Sequence, residues 1–380
     1  MSSACPATYP RRLLFVVCGL SPQILTETLY GLAVTTVPAF VPTEIQVLTT
    51  AEGAHRAQLM LLHADSGQFY RLCRDYQLPD IQFTVEHISK VCNRRGEALD
   101  DIRTPEDNEC LADAITAAIC RFTQDPQTAL HVSIAGGRKT MGYYAGYALS
   151  LLGRDQDRLS HVLVTSHYES HPEFFYPTPY SHLIYTRENR PLDTREAEIS
   201  LAEIPFIRLR NDIPKRLLNG EAGFSEIIRL ARIATEVPRL HFDQPRCKLM
   251  ANGIAIPLQQ SQLAFYLWVV CRTVFGNGAL PIPGKLQPDR QYADEFMHYY
   301  QTITGHERDI EKTRIALKNG MDEQFFQEKI SRINTILVRE LGRRLAGHFR
   351  IDNRGRRGQS NYHVTLTARQ ITGFECLGYG

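Results

Sequence analysis

The stretch "HVSIAGGRKTMGYYAGYALSLLG", residues 131–153, decides the fold. It opens as a short apolar, β-rich run and closes as a long apolar helix, with Gly136, Gly137, Arg138 and Lys139 between them. The period changes from two to 3.6 across that turn, which predicts a buried strand leading directly into a helix. The same alternation recurs outward in both directions. "RLLFVVCGL" (12–20), "EIQVLTT" (44–50), "IQFTVEHI" (81–88) and "LSHVLVT" (159–165) read as strands, and 22–34, 52–75 and 106–122 carry helical periodicity. Strand and helix in alternation predict an α/β fold, a Rossmann-like, mostly parallel sheet with helices on both faces.

After this region the texture changes. "AEISLAEIPFIRLR" (197–210) reads as a late strand and "GFSEIIRLARIATE" (223–236) as a connecting helix. "CKLMANGIAIPL" (247–258) places two apolar runs around Asn252-Gly253, a strong hairpin signal, and the apolar helix "QSQLAFYLWVVCRTV" follows it. The basic amphipathic run "FFQEKISRINTILVRELGRRLAGHF" then precedes "RIDNRGRRGQSNYHVTL", a second hairpin with arginines 350, 354, 356 and 357 near its tip. The expected organisation is a Rossmann-like domain over 1–210, a connecting segment over 211–239, and an α+β, winged-helix-like C-terminal domain over 240–380.

Composition bounds the function classes. The 380 residues carry a formal net charge of +2, so a polyanion site has to be local rather than spread over the chain. No segment approaches the ~18 uninterrupted apolar residues of a membrane span, and the apolar run near the N-terminus ends without a small-residue cleavage site. The nine cysteines form no C-x-x-C pair, which points to buried thiols in a reducing cytoplasm rather than to zinc or redox chemistry. No metal and no cofactor are expected.

The turn itself predicts an anion site. In an open α/β sheet, ligands bind beyond the carboxyl ends of the strands, where helix N-termini aim free N–H groups outward. Gly136 and Gly137 allow close backbone approach, Arg138 offers a planar fork for phosphate, and Lys139 a mobile point charge. A Walker A loop would require glycine at 138, and no G-x-G-x-x-G follows the first strand. At the first βα turn, Ser21 reads as an N-cap ahead of Pro22, which makes a second helix start at the same edge. Ser21 and Gln23 are candidates to orient ribose or base, and Ser133 and Thr140 are candidates to add a hydroxyl. Gly19, Ala135 and Met141 complete the expected binding set.

"GLSPQILTETLYGL", "DDIRTPEDN", "SIAGGRKTMGYYAGYALSLLGRDQDRLSHVLV" and "FFYPTP" together resemble the CARF (CRISPR-associated Rossmann fold) proteins of type III CRISPR systems, and within them the CRISPR-associated ring nucleases. The resemblance covers about residues 11–210 and is much weaker beyond. It implies a homodimer that binds cyclic oligoadenylate, most simply cyclic tetra-adenylate, across its two-fold axis. It also implies metal-independent cleavage by attack of a ribose 2′-OH on its own 3′-phosphate. Lys139 and Ser21 match the family's catalytic lysine and serine by place in the pattern, and Arg138 joins them as a catalytic candidate.

Two other readings stay open. "RRLAGH" contains Arg343 and His348 at the R-x(4–6)-H spacing of HEPN ribonucleases, which would make the chain a ligand-activated nuclease. The basic hairpin instead suggests a ligand-responsive DNA-binding regulator. The polar segment 93–109 is a candidate lid or an exposed loop, and Phe175 or Tyr176 a candidate adenine stack. His167 and His171 have helical metal-ligand spacing, but Pro172 and the lack of a third ligand favour a loop with aromatic packing.

Overall fold

The computed structural model describes residues 5–220, 222–233, 235–276, 278, 280–284, 287–303, 307–355 and 360–374. Two compact units emerge: Met1–Arg210 with Leu217–Ile227, and Asn211–Arg216 with Ile228–Gly380.

The first unit is an α/β layer structure. Its strands are β1 (Arg11–Val17), β2 (Glu44–Thr49), β3 (Ile88–Lys90), β4 (Thr128–Ser133) and β5 (Arg158–Val164), and its helices are α1 (Gln23–Tyr30), α2 (Ala51–Leu61), α3 (Gln68–Asp75), α4 (Pro105–Phe122) and α5 (Lys139–Leu152). A small antiparallel hairpin, β6 (Leu183–Tyr185) and β7 (Pro191–Asp193), precedes β8 (Ile199–Glu203). The main sheet runs β3-β2-β1-β4-β5-β8; its first five strands are parallel, and β8 pairs antiparallel with β5 at the edge.

β1 is apolar on both sides, as a central parallel strand must be. Leu14 and Val16 join Leu25 and Leu29 of α1 and Ala54 and Ala57 of α2 in one core, whereas Phe15 faces the opposite layer, its ring 5.3 Å from that of Phe122 of α4. α4 starts at a capping box, with Thr104 accepting from the Asp107 N–H and Asp107 returning the bond, and Pro105 fills the position that needs no donor.

Two expectations for this unit need correction. The run 81–88 is not a strand: Gln82 makes one isolated bridge to Glu44, Val85–His87 is a 3-10 turn, and β3 begins at Ile88. Thr84 and His87 close that turn with side-chain bonds, and this local pairing overrides the β propensity of "FTV". The run 52–75 is two helices, because "HADSG" (63–67) supplies turn residues and α3 restarts after Gly67.

Helix α6 (Phe224–Ile233) forms within the expected connecting helix; in the second unit, β9 (Leu240–Asp243), β10 (Lys248–Ala251) and β11 (Ile254–Ile256) form a sheet with β15 (Ile371–Thr372), in the order β11-β10-β9-β15. The β10–β11 turn is the expected one, with Asn252 and Gly253 both at positive φ, 47° and 77°. α7 (Gln260–Val270) is buried all round from Leu263 to Val270, and Trp268 donates its indole N–H to Glu295 of α8 (Arg290–Ile303). α9 (Glu307–Ala316) and α10 (Glu323–Ala346) follow; α10 is kinked at Gly342. The strands β12 (Leu280–Pro281), β13 (Asp352–Asn353) and β14 (Asn361–His363) make a small antiparallel sheet in the order β12-β14-β13. Arg356 and Arg357 of the expected wing tip, and Cys376, lie outside the described residues.

Candidate functional site

The sheet order fixes where a ligand can sit. From β1 the chain proceeds to β2 and β3 on one side, then returns to place β4 and β5 on the other. The reversal lies between β1 and β4, so the βα turns that leave their carboxyl ends flank the switch point, the usual place of a ligand in an open α/β sheet. Those turns are 18–22 and 134–138, and their strands end in register, with Val16 opposite Ser133.

The glycines explain themselves at this point. The two turns meet backbone to backbone: a Cβ on Gly19 would lie 3.0 Å from the Gly137 Cα, and one on Gly137 would lie 3.0 Å from the Gly19 nitrogen. Gly137 also has φ of +87°, in the left-handed region that favours glycine. A Cβ on Gly136 would fall 2.1 Å from the Ile24 Cδ1 of α1. The contact packs the two turns against each other, and the backbone N–H groups of Gly136, Gly137 and Arg138 meet no acceptor among the described residues. They are the donors expected at an anion-binding helix start.

The charged side chains behave differently from one another. Lys139 is the first residue of α5; it is exposed, and its ammonium forms no ion pair among the described residues. Arg138 is exposed too, but its fork is taken: Nε and Nη2 donate to the two carboxylate oxygens of Asp101 at 3.0 and 2.5 Å. That pair holds the Asp101 carboxyl down at about 2. Asp101 belongs to the segment 93–109, whose apex is exposed and whose base is pinned by a Cys92–Ala98 bridge, by the Ala51 N–H on the Leu99 carbonyl (2.7 Å), and by buried Ile102. Because β3 and β4 are separated by β2 and β1, the connection from β3 reaches Arg138 only by crossing the carboxyl edge of the sheet.

Other expected site residues divide between crevice and core. Ser21 is exposed beside the turn, but it is not a cap: α1 begins after Pro22, which is itself helical (φ −70°, ψ −14°), and no side chain caps it. Gly19, Ala135 and Thr140 are half-buried around the turns. Ser133 is not available to a ligand, since it is fully buried with its hydroxyl 3.1 Å from that of Thr28. Met141 is buried beneath Gly137 and supports the turn from inside. Cys18, at the same strand end, is buried, and burial pushes its thiol up to about 12, so it offers no thiolate nucleophile at neutral pH.

One face of α1 carries unexpected chemistry. Gln23 donates its amide N–H to the Pro172 carbonyl at 3.3 Å, while its Oε1 is buried without a partner. One turn on, Glu27 is 7% exposed, and burial, with Glu169 nearby, raises its carboxyl from 4.5 to about 7. The raised value means that the folded chain prefers Glu27 protonated. Its stabilising contribution is complete below pH 4.5 and is lost as pH rises through about 7. Above that, the buried anion costs about 3 kcal/mol. Glu27→Gln is therefore expected to raise the melting temperature at pH 8 and leave it unchanged at pH 4; an equal effect at both values would remove the titration from the account.

The aromatic loop packs as expected, and it is the adenine-stacking role that needs correction. Phe175 and Tyr176 pack into the same core as Leu14 and Val16, and Tyr176 donates its hydroxyl to Asp75, so neither presents a face for stacking. Both ring nitrogens of His171 are occupied, Nε2 with the Tyr185 carbonyl (3.0 Å) and Nδ1 with the Glu173 N–H (3.2 Å). No cluster of three potential metal ligands occurs among the described residues. Arg343 and His348 are both exposed at the end of α10, on either side of the helix terminus.

The structure is that of an α/β protein with a largely parallel sheet, whose topological switch point carries two glycine-containing βα turns in backbone contact. The chain belongs to the family described as CRISPR-associated protein NE0113, whose model matches residues 21–236, more than half of its length and including both α1 and the Gly136–Lys139 turn. No curated protein matches the chain. No described helix is long and apolar enough to cross a membrane.

Proposed function

We propose that the protein binds cyclic oligoadenylate across a homodimer of its α/β unit and opens the ring without a metal, acting as a ring nuclease that ends a CRISPR signal. The observation that carries this reading is the backbone contact of the Gly19 and Gly137 turns at the switch point, with Lys139 and the neighbouring turn N–H groups unpaired among the described residues. Membership of a CRISPR-associated family supports it. One chain supplies one such crevice. An isologous dimer brings two copies face to face, and a ring of four phosphates has the matching two-fold symmetry.

The chemistry follows from what the crevice offers. The substrate carries its own nucleophile: the 2′-oxygen attacks the neighbouring phosphorus, the bond to the 5′-oxygen breaks, and the products carry a 2′,3′-cyclic phosphate and a 5′-hydroxyl. The proton leaves the 2′-hydroxyl for solvent, and the departing 5′-oxygen takes one up. The protein has to hold the ribose–phosphate unit in line and meet the charge that develops on phosphorus. The turn N–H groups grip the phosphate, Lys139 meets the developing charge, and Ser21, exposed at the opposite turn, orients the ribose.

The C-terminal order of helix α10 followed by the β13–β14 hairpin, with the exposed Arg354 just after β13, favours a second reading, a winged-helix module that contacts DNA. Duplex binding at physiological salt would support that module, and its absence would remove it.

Calorimetric titration with cyclic tetra-adenylate tests the main reading. Binding of one ring per two chains is expected. Heat-free titrations with both cyclic tetra- and hexa-adenylate would overturn it.

A further inference from the structure

Arg138 is the residue best shaped to hold a phosphate, yet its guanidinium already holds a carboxylate in the geometry a phosphate would use. Both Asp101 oxygens accept from it, at 3.0 and 2.5 Å. The carboxylate is held ready by its own surroundings: Oδ1 accepts the Ile102 N–H at 2.8 Å, and Arg103 approaches Oδ2 at 3.4 Å. The buried Ile102 and the Leu99 backbone bonds fix the segment beneath. An anion tethered in this way competes intramolecularly, at an effective concentration on the order of millimolar. Lys139, the adjoining cation, has no such partner among the described residues.

We propose that Asp101 is a specificity-determining residue: it is a resident anion that any ligand must displace from Arg138, so that single phosphates and mononucleotides are kept out while a ligand with several linked phosphates displaces it. The inference rests on the reading of this crevice as the cyclic oligoadenylate site. A lone phosphate gains one contact at Arg138 and loses the Asp101 bond that it replaces. A ring gains Lys139, the turn N–H groups and the symmetric turn in the same event, so its binding survives the exchange.

The test compares wild type with Asp101→Asn, and with Asp101→Glu, which keeps a carboxylate on a longer stem. Each is titrated with cyclic tetra-adenylate, AMP and inorganic phosphate, after matching melting curves have shown that all are folded; Asp101→Ala replaces Asp101→Asn if the latter does not fold. The expected result is that Asp101→Asn binds the ring about ten-fold more tightly, and that millimolar phosphate, without effect on wild type, binds it and competes with the ring. Asp101→Glu should stay near wild type. Equal ring affinity and equal indifference to phosphate in wild type and Asp101→Asn would overturn the inference while the functional reading stands. If no variant binds the ring, that reading fails, and the phosphate titration alone decides: phosphate binding gained on removing the carboxylate supports the resident anion, and none gained refutes it.

Discussion

Lys139→Ala is expected to slow ring opening by about 10²–10³-fold while weakening ring binding by less than about ten-fold. The asymmetry follows from the position of the side chain. Lys139 opens α5, is exposed, and pairs with nothing among the described residues, so it contributes little to folding and is free to move onto a phosphate. The ground-state phosphodiester is also held by the turn N–H groups, which the substitution leaves in place. Only the charge that grows as the 2′-oxygen attacks requires an added cation, so the loss falls on the transition state more than on the bound ring. Lys139→Arg should recover part of the rate, because charge rather than shape is what the step needs. Single-turnover rates and binding isotherms for the three proteins separate the effects. A loss of affinity as large as the loss of rate would make Lys139 a binding residue.

The second large effect is on stability. Asp157 sits in the turn before β5 and is fully buried, with Arg154 only 11% exposed. Its carboxylate accepts from the Leu130 N–H of β4 (3.1 Å), from the Arg154 N–H (2.7 Å) and from the Arg154 guanidinium (2.9 and 3.0 Å). The same guanidinium reaches the carbonyls of Asp125 and Thr128, which ties the entrances of β4 and β5 together. Asp157→Ala leaves a buried cation and a strand N–H without their acceptor, a change expected to cost about 3–5 kcal/mol, a large part of the ~5–15 kcal/mol that holds a typical domain folded. Urea unfolding checks it, and a loss below about 1 kcal/mol would show that water reaches Arg154. Asp157→Asn should fall between the two, since one oxygen remains to accept.

Much of the sheet was legible because parallel strands buried on both faces write themselves as apolar runs. β1, β2, β4 and β5 lie within three residues of their expected places, and α5 begins at Lys139. The run 81–88 misled because apolar, β-rich residues there feed the core from a 3-10 turn, where Thr84–His87 bonding decides the backbone. The switch point follows from the order of the strands, and the doubled glycine marks the turn that packs against Gly19 there. What each side chain does there was less so. Ser133 and Ser21 are both small and polar, and only the direction of the β4 pleat sends one into the core towards Thr28 while the other stays exposed. Phe175 and Tyr176 read as loop aromatics yet complete the core over α1 and α3.

Asp101 and Glu27 escaped notice for different reasons. Asp101 is 37 residues from Arg138, and their pairing depends on the β3–α4 connection passing over two strands, which only the strand order reveals. The acidic run "DD" at 100–101 was the available signal. Glu27 stands among apolar residues of α1, "QILTETLY", where a lone carboxylate on a buried face is the sequence mark of a perturbed group.

The most direct measurement incubates the wild-type protein with cyclic tetra-adenylate in EDTA and resolves the products by mass. The account predicts linear adenylates that end in a 2′,3′-cyclic phosphate and a 5′-hydroxyl, formed by wild type and nearly absent with Lys139→Ala. An intact ring, or products that appear only when metal is restored, would contradict it.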